Sequence, residues 1–542
     1  MRPSDRDTGE AYILSLDLGT SGCKVGLVSL TGAVVAWAFR PVPLVVVDQV
    51  GAEQKPDDWW RAFVSAAREV LGHGAVPVSR IRAVCASTQG EGTIPVDRDG
   101  VPLTNAVLWM DMRGAPALAR QFGGRFSVSG YDPFRLQRWI RLCGGAPALS
   151  GKDPAGHMLF IRDHRPEVYA RTYKFLNVLD FINLRLTGRF AATQDSILTS
   201  WVTDNRSPDA IRYHDGLIAG SGIARDKFPD LVRCTDVIGR LRPAVAEEIG
   251  LPPETAVVAG AIDNTAAAIG AGTLADYDAH LYVGSSSWIG AHVPFKKTSI
   301  LDQISSVPCA LPARYMMMAL QTSGANNVAF LKDRIIFHDD GLIASEPAPD
   351  VYEVLDRIVA RTPPGSDGAM YLPWLFGERC PVDDRSLRAC LFNLSMEHTR
   401  ETVARAVFEG TALNTRWMMK PVRRFLGRPT EHLTILGGGA LSEAWCQIFA
   451  DTLGLPIRRL HEPLKANAVG AAVIGGVGLG LTDFPEAARH IRIDRVFEPN
   501  PDLRRLYDDR FALFTDLHRR LGPLYRRLNG AEKPERTRRH HA

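Results

Sequence analysis

The chain has 542 residues, 45% of them apolar, which is long for one hydrophobic core and sets two domains as the starting expectation. Its 64 Lys and Arg against 60 Asp and Glu leave a formal charge of +4, which argues against a nucleic-acid binder or a membrane-surface protein. No window approaches the roughly 18 apolar residues of a membrane span. The start, Met1 to Glu10, is charged and has no apolar signal region. The eight cysteines are scattered without a CxxC pair, so the expectation is a cytoplasmic protein with reduced thiols and neither a zinc site nor a disulfide framework.

From the N-terminus, "AYILSLD", "CKVGLVSL" and "AVVAWAFR" read as three strands joined by the turns "LGTSG" and "TG", an antiparallel meander. "PDDWWRAFVSAAREVL" from Pro56 has helical spacing with Asp57 and Asp58 near its start, and "RIRAVCAST" reads as a strand buried on both faces. "VYARTYKFLNVLDFINLRLTGRF" keeps apolar residues at helical spacing up to Gly188. "AVVAGAIDNTAAAIGAGTL" reads as a strand, a turn at Asp263–Asn264 and a small-residue run. "DAHLYVGSSSWIGAHV" is again strand, Gly-Ser turn, strand, and repeats the opening hairpin about 265 residues later, which suggests two related halves. A long helix, "TRETVARAVFEGTALNTRWMMKPVRRFL", precedes the strand "HLTILG", the segment "GGALSEAWCQIFADTLG" and the strand "LPIRRL". An amphipathic helix over 501–528 follows, and the polar, basic end at 529–542 reads as a disordered tail.

Three glycine turns and a few acids carry candidate chemistry. Asp17 ends a strand before Gly19, Thr20 and Ser21, and such a turn exposes N–H and hydroxyl donors as an anion cradle. A carboxylate beside it suits a magnesium ion carrying phosphate oxygens, although a plain hairpin turn has the same residues. Gly284–Ser285–Ser286–Ser287 is the same device without an acid. Gly437–Gly438–Gly439, with Ser442 where a third glycine would stand and Glu462 at the next strand's end, imitates a dinucleotide site. Nothing around it suggests alternating strands and helices, and a turn letting a flat base approach the backbone fits as well. Asp263, among small residues, is either a general base on a hydroxyl or a helix cap. Gly377–Glu378–Arg379 reads as a loop pinned by an internal ion pair rather than a chemical site. Glu91, between Gly90 and Gly92, is either a solvated turn residue or a substrate ligand.

Taken in order, these segments resemble the FGGY carbohydrate kinases, within the actin-like, hexokinase-like and heat-shock-chaperone-like ATPase folds. "LDLGTSGCK" is similar to the first phosphate hairpin and "LYVGSSSWI" to the second; "AGAIDNTAAAIGAG" resembles the segment with the catalytic aspartate, and "LGGGALSEAWCQIFADTLGLPI" the adenosine motif. "YLPWLFGERCP" and "ARAVFEGTALN" resemble second-domain segments. The resemblance implies an α/β fold of two ribonuclease-H-like domains flanking a deep cleft. It places a sugar-binding domain at 11–272 and a nucleotide-binding domain at 273–500. It also implies ATP and Mg2+ as cofactors, a small sugar or polyol substrate, and homodimers. By resemblance Asp263 is the base, and Asp17 and Asp263 lie by the metal. Gly19, Thr20, Ser21 and Lys24 lie by the phosphates. Gly284, Ser285, Gly324, Gly438, Gly439 and Glu443 contact the nucleotide. Gln89, Glu91, Trp109, Asp111, Asp263 and Asn264 contact the sugar. Xylulose kinases typically read Gln-Met-His-Gly where this chain has Gln89–Gly90–Glu91–Gly92, and glycerol kinases Gln-Arg-Glu-Thr. The resemblance as a whole makes a ketopentose the first expectation, with this loop counting against it, and a small polyol the second, since a carboxylate accepts two hydroxyl hydrogen bonds. A non-catalytic ATP-binding protein on the same fold is the competing class. His157-x-x-Phe160 stands where Lys-x-x-Trp is usual, and Asn393 takes a usual glycine place, which a left-handed backbone tolerates.

Overall fold

A computed structural model describes residues 11–48, 50–128, 130–336 and 350–529. The charged start and residues 530–542 of the expected tail lie outside the described residues. The opening meander forms as antiparallel β1 (Tyr12–Gly19), β2 (Gly22–Ser29) and β3 (Val34–Pro41). Strand β4 (Ile81–Thr88) runs parallel to β1; beyond it, β5 (Val237–Arg240) pairs antiparallel with β6 (Ala256–Ile262), which is parallel to β4. The sheet order is β5-β6-β4-β1-β2-β3.

The second sheet holds β7 (Ala279–Val283), β8 (Ser287–Val293), β9 (Thr298–Ser299), β10 (Ile304–Pro308), β11 (Tyr315–Gln321), β12 (Leu433–Leu436), β13 (Ile457–Leu460) and β14 (Ile493–Phe497). Its order is β9-β10-β11-β8-β7-β12-β13-β14. In both sheets the first strand of the half pairs antiparallel with the second and parallel with a later strand, and an antiparallel edge closes one side. The echo between the two hairpins therefore extends to the strands that flank them. The expectation of no strand–helix alternation near Gly437 is corrected: β12 and β13 are parallel and joined by a helix, a βαβ unit.

The helices that position the site are α1 (Pro56–Gly72), α2 (Pro154–His164), α3 (Val178–Thr187), α4 (Asp263–Gly270), α5 (Arg400–Leu426), α6 (Glu443–Leu453), α7 (Ala466–Gly478) and α8 (Arg504–Asn529). β1 is covered on both faces, and alternation assigns each side chain to one of them. Leu14, Leu16 and Leu18 join Trp59 and Phe63 of α1. Ile13 points the other way, onto Val469, Ala472 and Val473 of α7. So α7 belongs by sequence to the second half but packs on the first sheet, and a boundary at 272/273 separates the sheets without separating the cores.

The two domains meet on the pair α4 and α7. Ala267, Ala268 and Ala271 at α4 pack with Trp288 and Met318 of the second sheet, while Ile269 packs with the first. The small residues are required by the close approach. A Cβ on Gly270 would stand 1.9 Å from the Ala466 carbonyl oxygen, and one on Gly470 would stand 1.9 Å from that of Ala266. No helix among the described residues is long and apolar enough to cross a membrane. Seven of the eight cysteines are buried, Cys390 is half-buried, and all are free, as expected from their spacing. Asn393 adopts φ 64°, the left-handed conformation anticipated for it.

Candidate active site

The parallel strands β1, β4 and β6 end side by side, and their C-terminal ends carry the candidate residues, the usual place for a ligand in an open α/β sheet. Asp17 lies near the end of β1, before the two-residue turn Thr20–Ser21 that joins the paired Gly19 and Gly22. It is buried; its Oδ2 receives Lys24 Nζ at 2.9 Å, and its Oδ1 receives Asn467 Nδ2 of α7 at 3.3 Å. The Asp17 charge raises the Lys24 ammonium well above its ordinary range, so Lys24 is firmly cationic. Asp263 follows β6 as the first residue of α4, half-buried, accepting only its neighbour Asn264 N–H at 2.8 Å among the described residues. Burial, and next the Asp17 charge, push its carboxyl from 3.8 up to about 7. Asp195 backs this turn: its Oδ2 accepts Ile262 N–H at 3.1 Å and its Oδ1 accepts the Thr193 hydroxyl at 2.5 Å.

After β4 the chain makes a tight turn. Glu91 has φ 61°, a left-handed conformation unusual outside glycine. Its neighbours explain it. A Cβ on Gly92 would stand 2.5 Å from Val178 at the start of α3, and Gly90 faces Ile262. The turn is wedged between two elements, and Glu91 is half-buried facing the cleft. Burial first, then the Asp153 charge, lift its carboxyl from 4.5 up to about 7, with Arg379 and Lys152 opposing. Gln89 and Thr20 form a network behind it. Thr20 Oγ1 donates to Gln89 Oε1 at 2.7 Å and accepts Trp109 Nε1 at 3.0 Å; Gln89 Nε2 reaches Gln54 Oε1 at 3.0 Å.

Several of the expected residues are buried and already hydrogen-bonded within the protein. Asp111 has no exposed surface, and its oxygens accept the Ala52 and Arg113 N–H groups at 2.9 Å and the Arg113 guanidinium, so it pins the 109–113 loop rather than facing a sugar. Gln89 is buried and orients Thr20. His157 is buried beside Thr93, at 3.0 Å, and burial depresses its imidazole to about 4. The supposed ion pair within Gly377–Glu378–Arg379 does not form. Glu378 turns inward to accept Thr322 N–H at 2.9 Å, Arg379 N–H at 2.8 Å and Asn414 Nδ2 at 2.6 Å. The Arg379 side chain instead lies within electrostatic reach of Glu91 and Asp153, across the cleft.

Sequence reasoning missed Lys152, Asp153 and Arg379. Asp153 stands before Pro154 of α2 in the position of a helix cap, and only the fold shows its Oδ2 spent elsewhere, on Ala148 N–H at 2.7 Å and Trp201 Nε1 at 2.6 Å. Its carboxyl is raised, chiefly by burial. Burial, then Arg379 and Arg385, lower the Lys152 ammonium from 10.5 to about 8.

The second hairpin, Gly284–Ser286, joins β7 to β8, with Ser285 exposed. Gly324 lies buried beneath it: its N–H donates to Ser285 O at 2.9 Å, and a Cβ would stand 2.6 Å from Ser286 O and 2.7 Å from Gly284 O. It seats the turn. In the third turn, Gly439 is buried against Val283 and Trp445, whereas Gly438 is exposed with open space where a side chain would be. Of the pair, only Gly438 has an open face. Ser442 caps α6, accepting Trp445 N–H at 3.0 Å and bonded to Asp356, while Glu443 is exposed and bound by Arg495 at 2.6 Å and Arg459 at 3.2 Å.

The sequence model of the N-terminal domain of the FGGY family of carbohydrate kinases matches residues 12–127 and 136–270, and that of the C-terminal domain matches 284–479. The chain belongs to the FGGY family of carbohydrate kinases. This FGGY protein is a sugar kinase, of a family that uses ATP. It is 26% identical to a xylulose kinase of Staphylococcus epidermidis over 94% of this chain and 96% of that protein. It is 25% identical to a gluconokinase of Bacillus subtilis over 96% and 98%. The crystal structure of a ligand-bound xylulose kinase from Lactobacillus acidophilus superposes with a TM-score of 0.81 at 21% identity, covering 96% of this chain and 100% of the other, and so shares the two-domain fold.

Proposed function

We propose that this FGGY kinase transfers the γ-phosphoryl group of ATP to a primary hydroxyl of a small sugar, a ketopentose first. The observation that carries the reading is Asp263, a half-buried carboxylate lifted to about 7 beside Asp17. In the step, the substrate hydroxyl gives its proton to Asp263, its oxygen bonds to the γ-phosphorus, and the bond from that phosphorus to ADP breaks. Thr20, Ser21 and Lys24 lie beside the transferred group, and the turn at Gly284–Ser286 serves the remaining phosphates. Gly438 lets the base lie on the backbone. Among the described residues no cluster of three or more His, Cys, Asp or Glu could hold a metal. Two carboxylates, Asp17 and Asp263, instead fit a Mg2+ ion that takes its other ligands from ATP and water, where it would neutralise phosphate charge.

The ketopentose reading rests on relatives named xylulose kinase. A polyol is the second reading, because the carboxylate of Glu91 has no hydrogen-bond partner among the described residues and could accept two substrate hydroxyls. ADP release measured with a panel of ketopentoses, four- and five-carbon polyols and gluconate tests the assignment. At least one compound should raise turnover a hundredfold or more above the water background. A panel in which none does so refutes it.

A further inference from the structure

Buried charges are normally paired, as two of this protein's arginines are. Arg113 pairs with Glu53 at 2.6 Å and Asp111 at 2.7 Å, and Arg405 with Glu409 at 2.8 Å. Glu91, Lys152 and Arg379 are different. All three are half-buried and lie within electrostatic reach of one another, yet none has a side-chain hydrogen bond or an ion pair within 4.0 Å among the described residues. The acid beside them, Asp153, spends its Oδ2 on Ala148 N–H and Trp201 Nε1, and its Oδ1 has no hydrogen-bond partner among the described residues. A charged group left without a partner in a closed-in cleft is a group waiting for an occupant.

Arg379 cannot easily turn away to find another partner. Its loop is fixed by the inward Glu378 and by a backbone bridge between Glu378 and Asp384, with N–H···O distances of 3.0 and 3.1 Å. Gly377 before it has φ 75°, and a Cβ there would stand 2.8 Å from Asp384 O. The loop belongs to the second domain, whereas Lys152 and Glu91 belong to the first, so the cluster spans the cleft. Guanidinium and ammonium groups offer only donors, while a carboxylate that has lost its proton only accepts. The pocket thus has a donor end and an acceptor end side by side.

Resting on the sugar-kinase reading of this cleft, we propose that Arg379, with Lys152 beside it, is the specificity-determining donor end of the sugar pocket. It selects substrates that present a carbonyl or carboxylate oxygen there, and Glu91 takes the adjoining hydroxyls. A carbonyl or carboxylate accepts from both cations without a proton of its own to place, which an alcohol cannot match. The polyol alternative is accordingly disfavoured.

The test is kcat/KM for three compounds of one chain length and configuration: a 2-ketose, the aldonate and the alditol. They are measured with the full-length enzyme and with Arg379→Ala and Arg379→Lys. The unaltered enzyme should favour the ketose or the aldonate over the alditol by tenfold or more, and the two arms identify which acceptor is read. Arg379→Ala should lower kcat/KM for the favoured compound at least tenfold, mainly through KM. It should change the alditol less than threefold and leave the KM for ATP unchanged, and Arg379→Lys should recover part of the loss. Preference for the alditol overturns the proposal while leaving the sugar-kinase reading intact. So does an equal loss on all three compounds, which is the mark of a merely structural arginine, or no loss at all. Turnover of no compound by the unaltered enzyme brings both readings down. If Arg379→Ala does not fold, Lys152→Met is held to the same pattern.

Discussion

Asp263→Asn should abolish sugar-dependent turnover and, at neutral pH, make the protein more stable. The fold holds the Asp263 carboxyl at about 7 instead of 3.8, chiefly by burial. Between those values the folded chain keeps a proton that the unfolded chain has released, so stability falls as pH rises from about 4 to 7 and is level above that. At about 1.4 kcal/mol per pH unit the ceiling is about 4 kcal/mol, and partial contact of Asp263 with water reduces it to about half. Asparagine keeps the shape and the bond to Asn264 but carries no charge, so it escapes this cost. Thermal or urea unfolding of both proteins, without ligands, at pH 5 and pH 8 measures it. The stability advantage of the Asn variant should be larger at pH 8 by about 1–2 kcal/mol, because most of the cost accrues between those two values. In parallel, nucleotide binding should survive and phosphoryl transfer should drop by about a thousandfold or more, within what removal of a positioned base costs. An advantage that is the same at both pH values would refute the burial argument. Retained sugar-dependent turnover would refute the base assignment.

Two further outcomes follow from the same geometry. A base near 7 requires kcat/KM to fall on the acid side, because protonated Asp263 cannot accept the hydroxyl proton; at pH 6 activity should stand about tenfold below its plateau. A pH–rate profile flat from pH 5.5 to 7.5 would contradict this. Gly470→Ala should push α7 off α4, since its Cβ would stand 1.9 Å from the Ala266 carbonyl oxygen. Overpacking of a backbone contact costs about 1–3 kcal/mol. Because α4 begins at Asp263 and α7 carries Asn467 against Asp17, kcat should fall along with the melting temperature. Unfolding curves and saturation kinetics that match those of the unaltered enzyme would show that this interface does not hold the acids in place.

How much of this was legible in the sequence depends on the range of the interaction. The opening meander, the buried strand at Ile81–Thr88 and the helix from Pro56 were readable because alternation and helical spacing are local. The turns holding Asp17, Glu91 and Asp263 were readable for the same reason, as glycine and acid side by side at strand ends. The surroundings of other expected residues were not readable. Only tertiary packing shows that Arg113 and Ala52 occupy the Asp111 carboxylate and that Val283 and Trp445 cover Gly439. The crossing of α7 to the first sheet was also invisible. Its all-round apolar sequence says that it is buried, not against which sheet.

The misreading of Glu378–Arg379 shows the remaining limit. Adjacent opposite charges in a sequence invite a local pair, and a loop pinned by such a pair would have no chemistry of its own. In the folded chain the two side chains separate, because Glu378 finds three N–H donors in its own domain and has no need of the guanidinium. That satisfaction is what leaves Arg379 to face the other domain. The same division recurs around the cleft. Asp111 and Glu378 have both oxygens occupied and hold loops, while Glu91, Lys152 and Arg379 have no side-chain partner among the described residues. Residue type does not distinguish the two groups, since each contains acids on loops near glycine. Partner count does, and it is a property of the fold. The side chains whose charges the protein leaves unanswered are the ones the substrate is left to answer, and they lie on both domains. A sugar that satisfies them therefore holds the cleft closed over Asp263, with water excluded from the phosphoryl group.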